Sequence, residues 1–287
     1  MHAEERVLAC VDQSRFANFV ADYGAWAAEK LNAPMELLHI IDRNAQGQEV
    51  ADHSGAIGPD SPEQLLNTLA ERDEARSRAR REEGRLFLNA LRERATASSS
   101  SSVDIRQRRG ELTETLRAQE NLVKLYVLGR RGQSAEATHR DLGRNVERLI
   151  RSLRRPILAV TDSFREPKRA LFAFDGGSVT RRGVTLIAES PLFRNLPVHL
   201  LMSGTPSASA EKQLDWASSV LRNAGVEASS ALVPGDAERI IAGEVLERQI
   251  DLLVMGAYSH SPLRAFFMGS KTSDLLRSAR VPTILIR

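Results

Sequence analysis

An internal duplication constrains the fold of this chain more than any other feature of its sequence. An apolar run that ends in aspartate, and is followed by serine, opens at Arg6 and again at Arg169. Further along, Gly110-Glu111 is matched by Gly235-Asp236, each placed where a strand pattern gives way to a helical one. Similarity that returns in the same order predicts two consecutive structural units of one kind.

The repeats set the expected domain limits. We predict a first domain over residues 1–161 (the first copy), a linker over 162–168 and a second domain over 169–287 (the second copy). The serine after each opening aspartate, Ser14 or Ser178, is predicted to cap the helix that follows it. The first copy is longer than the second, because it carries an extra segment between its second and third strand patterns.

Each copy alternates short apolar runs with helical patterns, which is typical of a parallel sheet covered by helices on both faces. We therefore predict two tandem α/β domains, each an open, five-stranded, Rossmann-like parallel sheet. The helical pattern is clearest over residues 181–189 and 237–248. The predicted strands are Val7–Val11, Glu36–Ile41, Val103–Gln107, Leu122–Leu128 and Ile157–Val160, then Ala170–Phe174, Val198–Met202, Ala228–Val233, Leu252–Met255 and Thr283–Ile286.

The extra segment of the first copy has a composition of its own. Residues Gly55–Pro62 are predicted to form a loop, and a long helix is expected to follow as far as Arg94, before the serine run Ser98–Ser102. Arginines alternate with acidic residues along this helix, and no aromatic side chains interleave with them. Clustered positive charge would suggest nucleic-acid binding. Here we instead favour ion pairs between the arginines and acidic residues at i+3 and i+4 spacing.

Bulk composition narrows the class of protein. Hydrophobic residues make up 42% and charged residues 27% of the chain, which argues against a disordered protein. No apolar run approaches the roughly 20 residues of a membrane-spanning helix, and the first residues contain no apolar signal segment, so we expect a cytoplasmic protein. The single cysteine, Cys10, lies in an apolar run and is predicted to be a buried structural residue.

Ligands of open parallel sheets bind beyond the carboxyl ends of the strands, so residues at these positions are the candidate site. Asp12 and Asp175 follow the first strand of each copy and could accept hydrogen bonds from a ribose or an adenine amine; a helix-capping role is the alternative. Gly256 follows a strand and permits close approach of a ligand. Gly269-Ser270 opens a helix whose N–H groups suit a phosphate.

These residues resemble the universal stress protein family, whose ATP-binding members carry Gly, two residues, Gly, nine residues, then Gly and Ser or Thr. Gly256, Ser259, Gly269 and Ser270 reproduce that spacing, with serine in place of the middle glycine. The Pro234-Gly235 turn and the final apolar strand also resemble the family. The resemblance spans nearly the whole chain.

The resemblance implies a site for ATP, or for AMP or ADP, with magnesium as a candidate companion. In the second copy Asp175 would contact the nucleoside and Met202 the adenine, while the phosphates would lie against Gly256, Ser259, Gly269, Ser270 and Lys271. Because one-domain members dimerise through their last strand, the resemblance also implies that the two copies pack about a pseudo-twofold axis.

The first copy departs further from the pattern. Its candidate ligand-binding residues are Asp12, Ile40, Gly129, Gly132, Gly143 and Asn145. An extra residue precedes Gly143, and Arg144 occupies the place of the hydroxyl residue, so we expect a degenerate site. Arg130, Arg131 or Arg144 could instead pair with a phosphate or with an acidic partner.

Three functions are compatible with these residues. The first is a non-catalytic stress-response protein whose nucleotide occupancy alters contacts with a protein partner. The second is a slow ATPase that uses Asp175 and His260. The third is a nucleotide-independent scaffold on which the inserted helix docks a partner or covers its own site. A further homodimer is compatible with each, and no metal site is expected, because His139, His199 and Cys10 lack ligand spacing.

Overall fold

The computed structural model describes residues 4–41, 62–130, 144–257 and 279–287. The first copy contains β1 (Arg6–Val11), α1 (Ala17–Leu31), β2 (Met35–Ile41), α2 (Pro62–Ser98), β3 (Val103–Arg109), α3 (Leu112–Arg117), β4 (Val123–Gly129), α4 (Arg144–Ser152) and β5 (Ile157–Val160). The second contains β6 (Ala170–Ala173), α5 (Ser178–Glu189), β7 (Val198–Ser203), α6 (Ala208–Asn223), β8 (Ala228–Val233), α7 (Ala237–Glu247), β9 (Leu252–Gly256) and β10 (Thr283–Ile286).

The strands form one ten-stranded sheet in the order β3-β2-β1-β4-β5-β10-β9-β6-β7-β8. Neighbours are parallel within each copy, whereas β5 and β10 pair antiparallel, with Thr283 opposite Ala159 and Leu285 opposite Ile157. The predicted α/β class with a parallel sheet in each copy is confirmed. The antiparallel pair, here called the seam, joins the copies through their last strands.

Helices cover both faces of this sheet because successive strand residues point to opposite sides. Val7, Ala9 and Val11 of β1 belong to one buried layer, which also contains residues of α1, α2, α5 and α6 and extends through both copies. Leu8 belongs to the second layer, under α4 and α7. Cys10 is partly buried against this second layer, and burial raises the pKa of its thiol.

The glycine-acid pairs that revealed the duplication form equivalent turns. Gly110 and Gly235 have φ of 153° and 133°, values that favour glycine. The carboxylate of Glu111 accepts a hydrogen bond from an N–H of α3, and that of Asp236 accepts from two N–H groups of α7. Each acidic residue therefore caps its helix, at the point where the sequence pattern changes from strand to helix.

The predicted serine caps are wrong. The residue before α1 is Phe16, and Ser14 instead accepts the Phe16 N–H within the preceding turn (3.3 Å). Ser178 is already the first residue of α5, with Gly177 at the cap position. In the second copy the carboxylate of Asp175 accepts the Gly177 N–H (2.9 Å), so aspartate rather than serine organises the start of this helix.

The inserted helix α2 continues one turn beyond the predicted end at Arg94, because Leu91 and Ala95 are buried against α1. Arg94 fixes this packing through two hydrogen bonds to the buried Asp22 (2.7 and 2.8 Å). The predicted pairing is confirmed, since Arg78 meets Glu74 at i+4 and Arg85 meets Glu82 at i+3. Of the predicted loop Gly55–Pro62, only Pro62 lies in the described residues.

The helix also extends beyond the sheet. Thirty-seven residues of helix span about 55 Å, whereas a seven-residue strand spans about 23 Å. Arg109, at the end of β3, donates to Ser77 of the helix, and the residues before Ser77 therefore project past the carboxyl edge of the sheet. None of the helices in the described ranges is both long enough and apolar enough to cross a bilayer.

The predicted linker packs on both copies. The Tyr23 hydroxyl of α1 donates to the carbonyl of Arg165 (3.3 Å) and accepts its N–H (3.2 Å), and the Phe164 ring lies 4.8 Å from the Tyr23 ring. On the other side, Asp251 accepts the N–H of Lys168 (3.1 Å) and pairs with Arg165 (3.6 Å). The segment thus holds α1 close to the start of β9.

Candidate functional site

In the second copy three of the predicted site residues converge at one edge of the sheet. Within β6, Ala173 pairs with Leu201 of β7 on one side and with Met255 of β9 on the other. Met202 directly follows Leu201, and Gly256 directly follows Met255. Asp175 follows Ala173 after one intervening residue. The order of the strands reverses between β6 and β9, and such a reversal is where open α/β sheets bind ligands.

Asp175 is held in a defined orientation. One carboxylate oxygen, Oδ1, accepts both the Gly177 N–H (2.9 Å) and the Thr180 hydroxyl (2.6 Å). The helix-anchoring role considered for this aspartate is therefore present in the structure. Thr180 was missed by sequence reasoning, although a hydroxyl residue one turn into the following helix is a recognisable signal.

Gly256 and Met202 make the edge compact. A Cβ at Gly256 would lie 3.2 Å from Val179 and 3.3 Å from Thr180, tighter than ordinary contact. Glycine thus allows the first turn of α5 to approach the end of β9. Met202 is buried in the layer that contains α5 and α6. The first turn of α5 is therefore packed closely on the end of β9, beside the fixed carboxylate of Asp175.

The first copy has an equivalent edge. Cys10 of β1 pairs with Leu38 and Leu128, which brings Asp12 and Gly129 to the places that Asp175 and Gly256 take in the second copy. Asp12 accepts the Ser14 N–H (3.2 Å). The first-copy equivalent of Met202 is His39 and not the predicted Ile40. His39 directly follows Leu38, just as Met202 directly follows Leu201. Ile40 packs against the other layer of the sheet.

The inserted helix packs against this first-copy edge. The His39 ring lies 5.6 Å from the Phe87 ring, edge to face, while its Nδ1 donates to the carbonyl of Val11 (3.0 Å). Beside Asp12, Gln13 donates to Glu83 (3.1 Å). The segment of α2 from Glu83 to Phe87 therefore borders the adenine side of the expected first-copy site, and the sequence pattern alone did not reveal this contact.

Arg130 makes hydrogen bonds from the first copy to the second. It is only 7% exposed, and its guanidinium donates to the carbonyls of Ala279 and Val281 and to the Thr283 hydroxyl (3.3 Å). All three acceptors belong to the second copy. The described hydrogen bonds of Arg130 are thus made across the seam, and a phosphate contact of this arginine stays a prediction.

The remaining candidates cannot be placed from the structure. Ser259, His260, Gly269, Ser270 and Lys271 of the second copy lie outside the described residues, as do Arg131, Gly132, His139 and Gly143 of the first. Arg144 and Asn145 begin α4, with backbone alone described. The phosphate-binding part of the site therefore stays a prediction.

Metal ligation has no support in the described ranges, where no group of His, Cys, Asp or Glu is arranged for an ion. His199 is buried at the amino-terminal half of β7 and is hydrogen-bonded to Ser229 (2.8 Å). Burial, reinforced by the nearby charge of Arg248, lowers the pKa of its imidazole. His199 is therefore a buried residue of the sheet packing.

The strand order and the repeated edge define a protein made of two fused Rossmann-like units. The model of the universal stress protein family matches residues 4–161 and again residues 155–287. Universal stress protein Slr1230 of Synechocystis sp. is 31% identical to this chain over 286 residues, which cover 99% of the chain and 100% of the relative. The chain belongs to the universal stress protein family.

Solved structures share this two-unit fold. A universal stress protein from Archaeoglobus fulgidus superposes with a TM-score of 0.66 at 14% identity, covering 98% of this chain and 96% of the other. A functionally unknown protein from Pseudomonas aeruginosa gives a TM-score of 0.57 at 15% identity, covering 99% and 92%. At these identities the similarity establishes the fold.

Proposed function

We propose that this chain is a stress-response protein that binds ATP, or the related AMP or ADP, at the carboxyl edge of the second copy. Nucleotide occupancy changes its contacts with a protein partner, and no hydrolysis is required. The observation that carries the proposal is the convergence of Asp175, Met202 and Gly256 at the reversal of strand order. Gly269-Ser270, placed later in the same copy, supplies the expected phosphate contact.

The choice of the second copy rests on two contacts of the first. Its His39, at the place of Met202, is packed against Phe87 of the inserted helix. Its Arg130, directly after Gly129, is engaged with carbonyls of the other copy. Both contacts use side chains at the edge where a nucleotide would lie, so we assign the first copy a structural role.

The chemistry of the second-copy edge suits a nucleoside. A carboxylate held by Gly177 and Thr180 needs no reorganisation before it accepts a ribose hydroxyl. Glycine at position 256 lets the first turn of α5, which carries Thr180, lie close beside this carboxylate. Magnesium, if it accompanies a triphosphate, would be held chiefly by the phosphate oxygens and water. Ser270 and Lys271 are the residues predicted to bind the phosphates.

Matched aspartate variants test the proposal. In Asp175→Asn the amide oxygen still accepts from Gly177 and Thr180, but the charged acceptor for the nucleoside is lost. Calorimetric titration with ATP should show binding about 10- to 100-fold weaker, the usual effect of losing a hydrogen bond to a charged group. Asp12→Asn makes the same change in the first copy and should leave ATP affinity unchanged.

Other outcomes contradict specific parts of the proposal. A wild-type chain that neither retains adenine nucleotide in native mass spectrometry nor binds added ATP removes nucleotide binding altogether. Equal loss in both aspartate variants removes the assignment to the second copy. Steady phosphate release that disappears in His260→Ala would establish the slow ATPase instead of a non-catalytic switch.

A further inference from the structure

The linker lies in a groove between α1 and the start of β9, here called the linker groove. Its Phe164 ring packs on the ring of Tyr23 in α1 (4.8 Å), and the next residue, Arg165, pairs with Asp251 (3.6 Å). The Tyr23 hydroxyl also bonds the backbone of Arg165. This groove therefore holds an extended segment in which an aromatic residue is followed by a charge opposite to that of the groove.

The duplication places a second groove of the same kind in the molecule. Helix α5 corresponds to α1, because each follows the first strand of its copy. Lys124 corresponds to Asp251, because the leucine after each pairs with an equivalent residue of the first strand, Val7 or Ala170. The counterpart of the linker groove thus lies between α5 and the start of β4, and here it is called the open groove.

The open groove has the shape of a binding site. It forms a cavity of about 590 Å³, within the range of roughly 300–1,000 Å³ found for ligand sites, and no segment of the described ranges crosses it as the linker crosses its counterpart. Buried apolar side chains form its base, and one face of α5 forms its flank. The base includes Leu125, Phe193 and Ile284, and the flank consists of Arg182, Thr185, Leu186 and Glu189.

The charge of the open groove is opposite to that of the linker groove. Lys124 is partly buried, and it makes no ion pair or hydrogen bond with another residue in the described parts of the chain. Of the other charged residues, Glu5 is paired with Arg155 (2.6 Å), while Arg182 and Glu189 are exposed on the flank. A partly desolvated cation without a counterion favours an anionic partner.

We propose that the open groove binds an extended segment of a partner protein in which an aromatic residue is followed by an acidic one. The ring packs on the apolar base, and the carboxylate pairs with Lys124. The Thr185 hydroxyl, on the flank of α5, bonds the backbone of the segment, as the Tyr23 hydroxyl does in the linker groove. This inference does not depend on nucleotide binding.

Blocked pentapeptides that follow the linker sequence around Phe164 are the probes. Ser-Phe-Glu-Gln-Pro has the proposed order, Ser-Phe-Arg-Gln-Pro is the charge control, and Ser-Ala-Glu-Gln-Pro lacks the ring. Each is titrated into the isotope-labelled full-length chain without nucleotide and followed by NMR. The first peptide should bind about threefold to tenfold more tightly than either control, the range for a partly exposed ion pair or a packed ring, with shifts at the amides of 124–125 and 182–186.

Charge reversal provides the matched test. Lys124→Glu should invert the preference, so that the Phe-Arg peptide binds more tightly than the Phe-Glu peptide. Lys124→Met retains the aliphatic stem and should bind both peptides equally. Lys212→Glu makes the same charge change at an exposed position of α6, outside the groove, and should keep the wild-type preference.

Several results would overturn the inference. These are a wild-type chain that binds none of the peptides at millimolar concentration, one that binds the Phe-Glu and Phe-Arg peptides equally, and an inversion by Lys212→Glu as large as that by Lys124→Glu. If Lys124→Glu does not fold, Lys124→Met decides, since an unchanged preference in that variant is equally contrary. A chain that shows the preference but binds no ATP retains the open groove and loses only the proposed function.

Discussion

Glu36 and His199 occupy the same place in the two copies, and both are buried polar residues. The register shows the equivalence, since Glu36 pairs with Leu8 of β1 and His199 pairs with Leu171, the equivalent residue of β6. The Glu36 carboxylate is held between Arg6 and Arg106, at 3.3 Å from each. His199 instead depends on remaining neutral, because burial disfavours its cation. The same buried position thus holds a charged, paired carboxylate in the first copy and a neutral imidazole in the second.

A pH dependence follows for His199. Because its folded pKa is lowered from 6.5, the unfolded chain binds the proton first as the pH falls. The stability contributed by the neutral ring is therefore present above pH 6.5 and is lost as the pH falls toward the folded pKa. Between pH 7.5 and 5.5 the wild-type chain should therefore lose more unfolding free energy than His199→Asn.

Urea unfolding at the two pH values provides the measurement. The asparagine amide can replace the Nδ1 contact with Ser229 without titrating, so His199→Asn is the matched reference. Equal losses for the two chains would show that His199 has the same proton affinity in the folded and unfolded states.

Two glycines inside helices allow the effect of packing on stability to be distinguished from the effect of helix propensity. Gly183 of α5 faces the sheet, where a Cβ would lie 2.6 Å from the Phe172 ring and 3.2 Å from Ile286. Gly243 of α7 has no neighbouring atom within 4 Å of such a Cβ. Glycine is required by close approach at the first position, whereas at the second it only weakens the helix.

Alanine substitutions should therefore have opposite signs. Gly183→Ala is expected to lower the unfolding free energy by about 1–3 kcal/mol through overpacking, although alanine favours a helix. Gly243→Ala should raise it by about 0.5–1 kcal/mol, the difference in helix propensity. Thermal and urea unfolding of both variants test this pair, and stabilisation by Gly183→Ala would mean that α5 moves away from β6 at little cost.

At the level of elements, the sequence predicted most of the sheet, because alternating apolar residues and glycine turns are local signals. The turns at Gly110 and Gly235 are examples. The predicted serine caps failed because the helices begin elsewhere: Phe16 is the residue before α1, and Ser178 already lies inside α5, after Gly177. Helix α2 outlasted its predicted end because Leu91 and Ala95 meet α1, a contact between residues distant in sequence. His39 was missed for the same reason, since Phe87 comes from the inserted helix.

The whole molecule depends on contacts that join the two copies, and the linker is one of them. The Tyr23 hydroxyl makes two hydrogen bonds to the backbone of Arg165, which is also an exposed trypsin site. Removal of the hydroxyl in Tyr23→Phe should favour local opening of this segment. Cleavage after Arg165 is expected to accelerate about threefold to tenfold, from the net free energy of one hydrogen bond.

Tyr126→Phe is the corresponding control. Its hydroxyl donates to Leu116 (2.9 Å), entirely within the first copy. This variant loses a comparable bond but should leave cleavage after Arg165 at the wild-type rate. If both variants accelerate cleavage equally, trypsin acts on globally unfolded chains, and the linker is not specifically protected by Tyr23.

The seam itself is short, with three paired positions between β5 and β10. In separate chains such a contact would have to form by diffusion, whereas a short covalent connection supplies a local concentration of order millimolar. Because both copies lie in one chain, residues on the two sides of the seam can mutate independently. In a dimer of identical subunits, every mutation changes both sides at once. Arg130 shows this freedom: its N–H donates to Val160 as that of Ala257 donates to Ile286, but only the arginine has a side chain that reaches the other copy.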